Sequence, residues 1–221
     1  VNLRRQARVA FGDYPNAIRM RGLGFAARVP ESYAAGAARP VVLIPGVYER
    51  WHFLRPIADA LVVAGHPVHV VRELGINDRA IPSSADRVLR FLSTQDLRGV
   101  ALVAHSKGGL IGKAAMLEDT DGRIDRLVAV ATPFSGSRMA DLMVLPALRA
   151  FRPAHAVIRR LVAEREVNAR ITSIFPSFDP HIPEGSAVEG GTNLELDVVG
   201  HFRILEHPAA IAAVVQAVSA V

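Results

Sequence analysis

The chain has 221 residues, of which 50% are hydrophobic and 21% charged, and it has no cysteine. That length suits one compact domain with a sizeable core, and the composition excludes a disordered chain, disulfides, thiolate catalysis and cysteine metal sites. The formal net charge is +5, and it is concentrated in residues 1–30, where Arg4, Arg5, Arg8, Arg19, Arg21 and Arg28 face the single acid Asp13.

From residue 41 onward, strand and helix signals alternate. Residues 1–40 are the least legible and suit a helix or an irregular strand pair. Val41–Ile44 is a short β-branched run ended by Pro45-Gly46, the pattern of a buried strand and a turn. Leu54, Ile57, Ala58, Leu61 and Val62 fall at helical spacing, and Gly65 ends that helix. Val68–Val71 reads as the next strand. Ser83, with Asp86 three residues on, predicts a helix start, with Val88, Leu89 and Leu92 on one face. Val100–Ala104 is an all-apolar strand, and a helix is predicted from Gly108 to Leu117. Leu127–Ala131, Ile171–Phe175 and Leu194–Val199 read as three further strands. Pro208 opens a last helix, with Ile211, Val214, Val215 and Val218 on one face.

Apolar strands alternating with amphipathic helices predict a three-layer α/β/α sandwich with a mostly parallel central sheet, as a single domain over 1–221. One stretch breaks the rhythm. Residues 135–170 have room for two helices where one would do: Met139–Phe151, rich in Leu, Met and Ala, and the more charged His155–Val167. They are expected to form a small helical cap over a binding site. No apolar run reaches the ~18 residues needed to cross a bilayer, and no apolar signal-peptide core follows Val1–Arg5. A cytoplasmic protein is therefore expected, with a secreted mature form as the alternative. The basic first 30 residues would suit an anionic membrane surface. No aromatic interleaving or nucleic-acid motif accompanies them, so a nucleic-acid partner is not expected.

The chemistry gathers at Ala104-His105-Ser106-Lys107-Gly108-Gly109, between a buried strand and a helix. A serine at that junction sits on a tight turn, its hydroxyl projecting past the carboxyl end of the strand while the helix aims its N–H groups at the reacting centre. This is a Gly-x-Ser-x-Gly pattern with Ala in the first position. A serine hydroxyl needs a base, and the base an orienting acid. With that pattern the acid and then the base come later in the chain. Asp179 follows Ile171–Phe175, and His201 follows the last strand. Glu184, Glu189 and Asp197 are alternative acids, and Asp197 falls within a predicted strand. His207 is the rival base; His181 stands too near Asp179 to be preferred, and His105 is expected to point away. The oxyanion of an acyl transfer needs two backbone donors. Lys107 N–H is one, and Val47 N–H, with Tyr48 next, is the candidate for the other. The Lys107 side chain is expected to reach solvent. No metal is expected, since the close pair His66 and His69 lacks a third ligand.

Ala-His-Ser-x-Gly-Gly after an apolar strand, Pro-Gly-Val after the first strand, Ser-Phe-Asp at 177–179 and Gly-His at 200–201 resemble the small bacterial lipases and esterases of the α/β-hydrolase superfamily. Ala131–Ser137 is similar to a loop in many lipase-like members. The likeness covers about residues 40–220. It implies a Ser106–Asp179–His201 triad, an oxyanion hole at Val47 and Lys107, no cofactor, and a small-molecule ester or lipid-like substrate. Pro45-Gly46 stands where the family usually has His-Gly. Acyltransferase, thioesterase, lactonase and amidase chemistry share this machinery, and a non-catalytic ligand-binding protein is the alternative outside enzymes.

Overall fold

The apolar runs become the strands of one parallel sheet. A computed structural model describes residues 28–220, and the strands are β1 (Val41–Ile44), β2 (Val68–Val70), β3 (Val100–His105), β4 (Ile124–Val130), β5 (Ile171–Phe178) and β6 (Thr192–Val199). The order across the sheet is β2-β1-β3-β4-β5-β6, every pair parallel. β1 and β3 are buried along their whole length, which is why they read as continuous apolar runs rather than alternating ones.

Their side chains still alternate between two cores. Val42 and Ile44 of β1 join Leu102 and Ala104 of β3 on one face of the sheet. Helices α2 (Ile81–Thr94) and α3 (Lys107–Glu118) cover that face with Val88, Leu92, Leu110 and Ile111. Val41, Leu43, Ala101 and Val103 point to the other face. There α1 (Arg55–Val63) and α6 (Pro208–Ser219) bring Ile57, Leu61, Val214 and Val218. Each fully buried Leu, Ile or Val contributes roughly 1.5–3 kcal/mol of transfer free energy, so the two covered faces are what fix the sandwich.

The segment 135–170 is more broken than two full helices. It runs as a 3-10 turn (Arg138–Leu142), a short α4 (Pro146–Arg149), α5 (Ala156–Ala163) and a second 3-10 turn (Asn168–Arg170). Pro146 and Pro153 interrupt the apolar periodicity, because proline cannot continue a helix from the preceding turn. Ile158 and Leu161 of α5 pack into the core beside α3, whereas Leu142 and Val144 remain 75% and 86% exposed. The helix expected from Ser83 begins at Ile81, with Pro82 in its first turn and Ala80 as a cap without a side-chain bond. Residues 28–40 hold one 3-10 turn, Glu31–Ala34. The remainder of the basic N-terminal stretch lies outside the described residues. Among the described residues no helix is long and apolar enough to cross a membrane.

The chain starts its sheet at β1, adds β2 on one side, then crosses to β3 on the other. The carboxyl ends of β1 and β3 therefore flank the point where the direction of winding reverses, the usual place for a ligand in an open α/β sheet. β1 runs into the Pro45–Tyr48 turn, and Ser106 directly follows β3.

Candidate active site

Ser106 sits between β3 and α3 with φ 50° and ψ −120°. A non-glycine residue in that region carries strain of order 1–3 kcal/mol and persists only where the surroundings over-determine it. Three contacts do so. Ser106 N–H donates to Val130 O at 2.9 Å. Thr132 Oγ1 donates to Ser106 O at 2.9 Å. A Cβ on Gly108 would lie 2.1 Å from Ile44 O and 2.9 Å from Pro45 O, so only glycine lets α3 start this close under the end of β1. The serine itself is 8% exposed.

Asp179 and His201 come from the next two strand ends. Asp179 directly follows β5, and His201 follows β6 after Gly200, whose φ is 115°. His201 Nδ1 and Asp179 Oδ2 are 2.7 Å apart and both residues are buried. A carboxylate can only accept, so Nδ1 carries the proton, and in the neutral ring Nε2 keeps its lone pair. Asp179 Oδ1 accepts from His181 N–H at 2.8 Å and Ile182 N–H at 3.2 Å. Burial pushes the Asp179 carboxyl up, but the His201 imidazole and the His181 N–H outweigh it and hold the group below its usual range. The elbow and the base loop meet through His105. Its Nε2 lies 3.1 Å from His201 O, and the His105 and His201 rings are 4.8 Å apart.

One side chain differs from expectation. Lys107 does not reach solvent: it is 1% exposed, and Nζ donates to Asn77 O at 2.8 Å and to Arg79 O. Burial pushes its ammonium down to about 8, with Asp78 acting in the opposite sense. His181 packs against His201, with ring centres 4.7 Å apart. Burial and the neighbouring His201 push His181 down to about 4, so it is neutral across the physiological range. His105 points into the backing of the site, where its Nδ1 lies 2.9 Å from both oxygens of buried Glu49. Glu49, Asn77 and the placement of His181 carry no motif; the one sequence hint is that Glu49 is an acid within an otherwise apolar turn region.

Among the remaining histidines, His66 is committed to Arg39 O and Ser219 Oγ at 2.9 and 3.0 Å, far from this chemistry. His207, the rival base, precedes α6 as its capping residue. Asp197 lies within β6, and Glu184 bonds Arg138 at 2.6 Å. Asp179, His181 and His201 each offer a possible metal-ligating atom within 4.8 Å of the others. Two of those groups are engaged in the Asp179–His201 hydrogen bond, which suits proton transfer.

The Val47 N–H donates to no acceptor among the described residues, whereas Gly46 N–H is taken by Glu49 Oε2 at 2.8 Å. Val47 therefore presents the first uncommitted N–H of the turn after β1. Ser137, which opens the 135–170 segment's 3-10 turn, donates from Oγ to His181 O at 2.6 Å and so ties that segment to the Asp179 loop.

No protein-family model matches the chain, and no curated protein matches it. Solved structures do. An extracellular alpha/beta-hydrolase from a Paenibacillus species is 16% identical, with 82% of this chain and 98% of that one covered and a TM-score of 0.57. Aspergillus fumigatus lipase B is 20% identical over 87% of this chain and 56% of its own, with a TM-score of 0.68. The Paleococcus ferrophilus monoacylglycerol lipase is 17% identical over 84% and 96%, with a TM-score of 0.63. The chain has the α/β-hydrolase fold.

Proposed function

We propose that the protein is a serine hydrolase of carboxylic esters, with Ser106 as nucleophile, His201 as general base and acid, and Asp179 as the group that orients His201. The observation that carries this reading is a strained serine at the end of β3, set against a loop whose imidazole is held through Nδ1 by a buried carboxylate at 2.7 Å. Ser106 Oγ attacks the ester carbonyl and its proton passes to His201 Nε2. The oxyanion is met by the Val47 and Lys107 N–H groups. His201 then gives the proton to the departing alcohol, leaving an acyl group on Ser106. A water surrenders a proton to His201, attacks the acyl carbonyl, and releases the acid while Ser106 regains its proton. No step calls for a cofactor.

The 135–170 segment is the proposed cap. Ala140 and Phe151 pack, with Phe134 just before the segment, into the core on the α3 face while Leu142, Val144 and Leu145 stand exposed, apolar groups that would suit an acyl or lipid-like substrate if the segment covers the site. Lipase structures among the similar folds accord with that class. Replacing Ser106 by Ala is expected to abolish turnover of p-nitrophenyl esters of short acids and labelling by a fluorophosphonate, with the circular dichroism spectrum unchanged. Undiminished turnover by the folded variant would remove the proposal.

A further inference from the structure

The two residues on either side of Ser106 both reach, through buried polar partners, to the same turn. On one side, His105 meets the Glu49 carboxylate at 2.9 Å, and Glu49 Oε2 accepts from Gly46 N–H at 2.8 Å. On the other, Lys107 Nζ donates to the backbone carbonyl of Asn77 at 2.8 Å, while the Asn77 side chain donates to Pro45 O at 2.6 Å. Pro45 O and Gly46 N–H are the two ends of one peptide unit, the neighbour of the unit that carries Val47 N–H. Glu49, Asn77, His105 and Lys107 are all buried. We propose that His105–Glu49 and Lys107–Asn77 form a two-armed clamp that holds the Pro45–Tyr48 turn at the nucleophile elbow and so aims the Val47 N–H at the developing oxyanion. This rests on the reading of Ser106 as the nucleophile and makes the four side chains positioning residues.

Three features argue for geometry rather than cohesion. Burying a carboxylate and an ammonium is costly, and apolar replacements of a buried ion pair are often neutral or stabilising. Two such groups converging on one four-residue turn are therefore poorly accounted for by stability alone. Second, the turn needs restraint: its Tyr48 has φ 58°, and Asn77, which grips it, has φ 53°, both non-glycine residues in the left-handed region. A Cβ on Gly46 would lie 2.5 Å from Glu49 Oε1, so a glycine is what lets the carboxylate close on its own turn. Third, His105 faces oxygen at both ring nitrogens, Glu49 at Nδ1 and His201 O at Nε2. One arm therefore also ties the base loop to the oxyanion turn, bringing three strand ends under one constraint.

The test compares Glu49→Gln, which keeps shape and removes charge, and Asn77→Gly, which keeps the left-handed backbone and removes the carboxamide, with Ser106→Ala. Active sites are first titrated with a fluorophosphonate, so that kcat is expressed per competent site. The clamp predicts a fall in kcat of roughly 10- to 100-fold per site, since small misplacement of a transition-state donor is costly, with KM within about threefold. It also predicts that binding of a trifluoromethyl ketone, whose adduct places an oxyanion in the hole, weakens in step with kcat. A merely structural role would lower the number of titratable sites and leave kcat per site and ketone affinity unchanged. That result, or failure of both variants to yield any titratable site, overturns the clamp. If instead Ser106→Ala keeps full turnover, the functional reading itself is what fails.

Discussion

Asp179 does two jobs with its two oxygens, and that decides how it can be tested. Oδ2 holds His201, while Oδ1 accepts the N–H groups of His181 and Ile182 and so shapes the loop beyond β5. Removing the whole carboxylate would spoil both. Asp179→Asn can keep Oδ1 as an acceptor and present an N–H₂ to His201, which then favours the wrong tautomer of the ring. The expected result is a loss of kcat on the order of 10³–10⁴-fold with a preserved melting transition, read from steady-state ester hydrolysis and circular dichroism. A loss of less than tenfold would mean that His201 is oriented by something else. At this scale the pairing of Asp179 with His201 is legible because each stands within a few residues of a strand signal's end, as does the proposed nucleophile Ser106. Lys107 reads as a surface group, because a lysine just past the strand end has no side-chain partner in the sequence pattern, yet it is buried. Its partners are backbone carbonyls at 77 and 79, which no side-chain pattern advertises. Glu49 is 56 residues from His105, so their pairing is visible only once the sheet brings β1 and β3 side by side.

The register between strand and helix at the elbow depends on a glycine that is not there for its own flexibility. Gly108 lies in the first turn of α3, and the space a Cβ would take belongs to the backbone of Ile44 and Pro45. Backbone at the end of a fully buried strand cannot rotate away as a side chain can. Gly108→Ala is therefore expected to cost about 3 kcal/mol or more, at the upper end of overpacking effects. Gly122→Ala is the natural control. Its φ of 62° is strained for alanine, but nothing lies within 4 Å of the added carbon, so its cost should be about 1 kcal/mol. Urea denaturation of the two variants beside the parent measures both. Equal midpoints would show that α3 can slide away from β1. The same contrast between backbone and side-chain logic explains which elements were legible. β1 and β3 are buried on both faces and stand out as apolar runs. β4 begins earlier than its apolar stretch, because its ladder to β3 already runs from Ile124 through the charged, partly exposed Asp125 and Arg126. β6 is an edge strand, so Thr192, Asn193 and Glu195 can face solvent and hide the strand's start. The 135–170 region is legible as a break in the strand–helix rhythm but not as a set of short turns, since Leu/Met/Ala content favours helix while proline positions forbid a long one.

For the molecule as a whole, the site sets the response to acid. The His201 ring lies beside those of His105 and His181, tilted to both, with ring centres 4.8 and 4.7 Å away, and burial, His201 and His105 together press His181 toward its neutral form. Burial holds His181 at about 4 in the folded protein against an ordinary 6.5. Between those two values the unfolded chain takes up a proton that the folded one refuses. Stability attributable to His181 is thus fully present above about pH 6.5 and is lost as pH falls toward 4, with a slope of about 1.4 kcal/mol per pH unit where the difference is one whole proton. Asp179 extends the same limb. Its folded carboxyl lies below the ordinary 3.8, so its contribution is present above that value and disappears only as pH falls through the lower, folded one. The two groups act in successive windows, which makes them separable. His181→Asn keeps the backbone N–H that Asp179 Oδ1 uses and removes only the titrating ring. Its unfolding free energy, measured by urea at pH 7, 5.5 and 4.5, should decline less steeply than that of the parent over this range, and the two should run parallel at lower pH, where Asp179 dominates. Parallel curves from pH 7 downward would mean that the folded protein accommodates a charged ring at 181, and that acid acts on the sheet elsewhere.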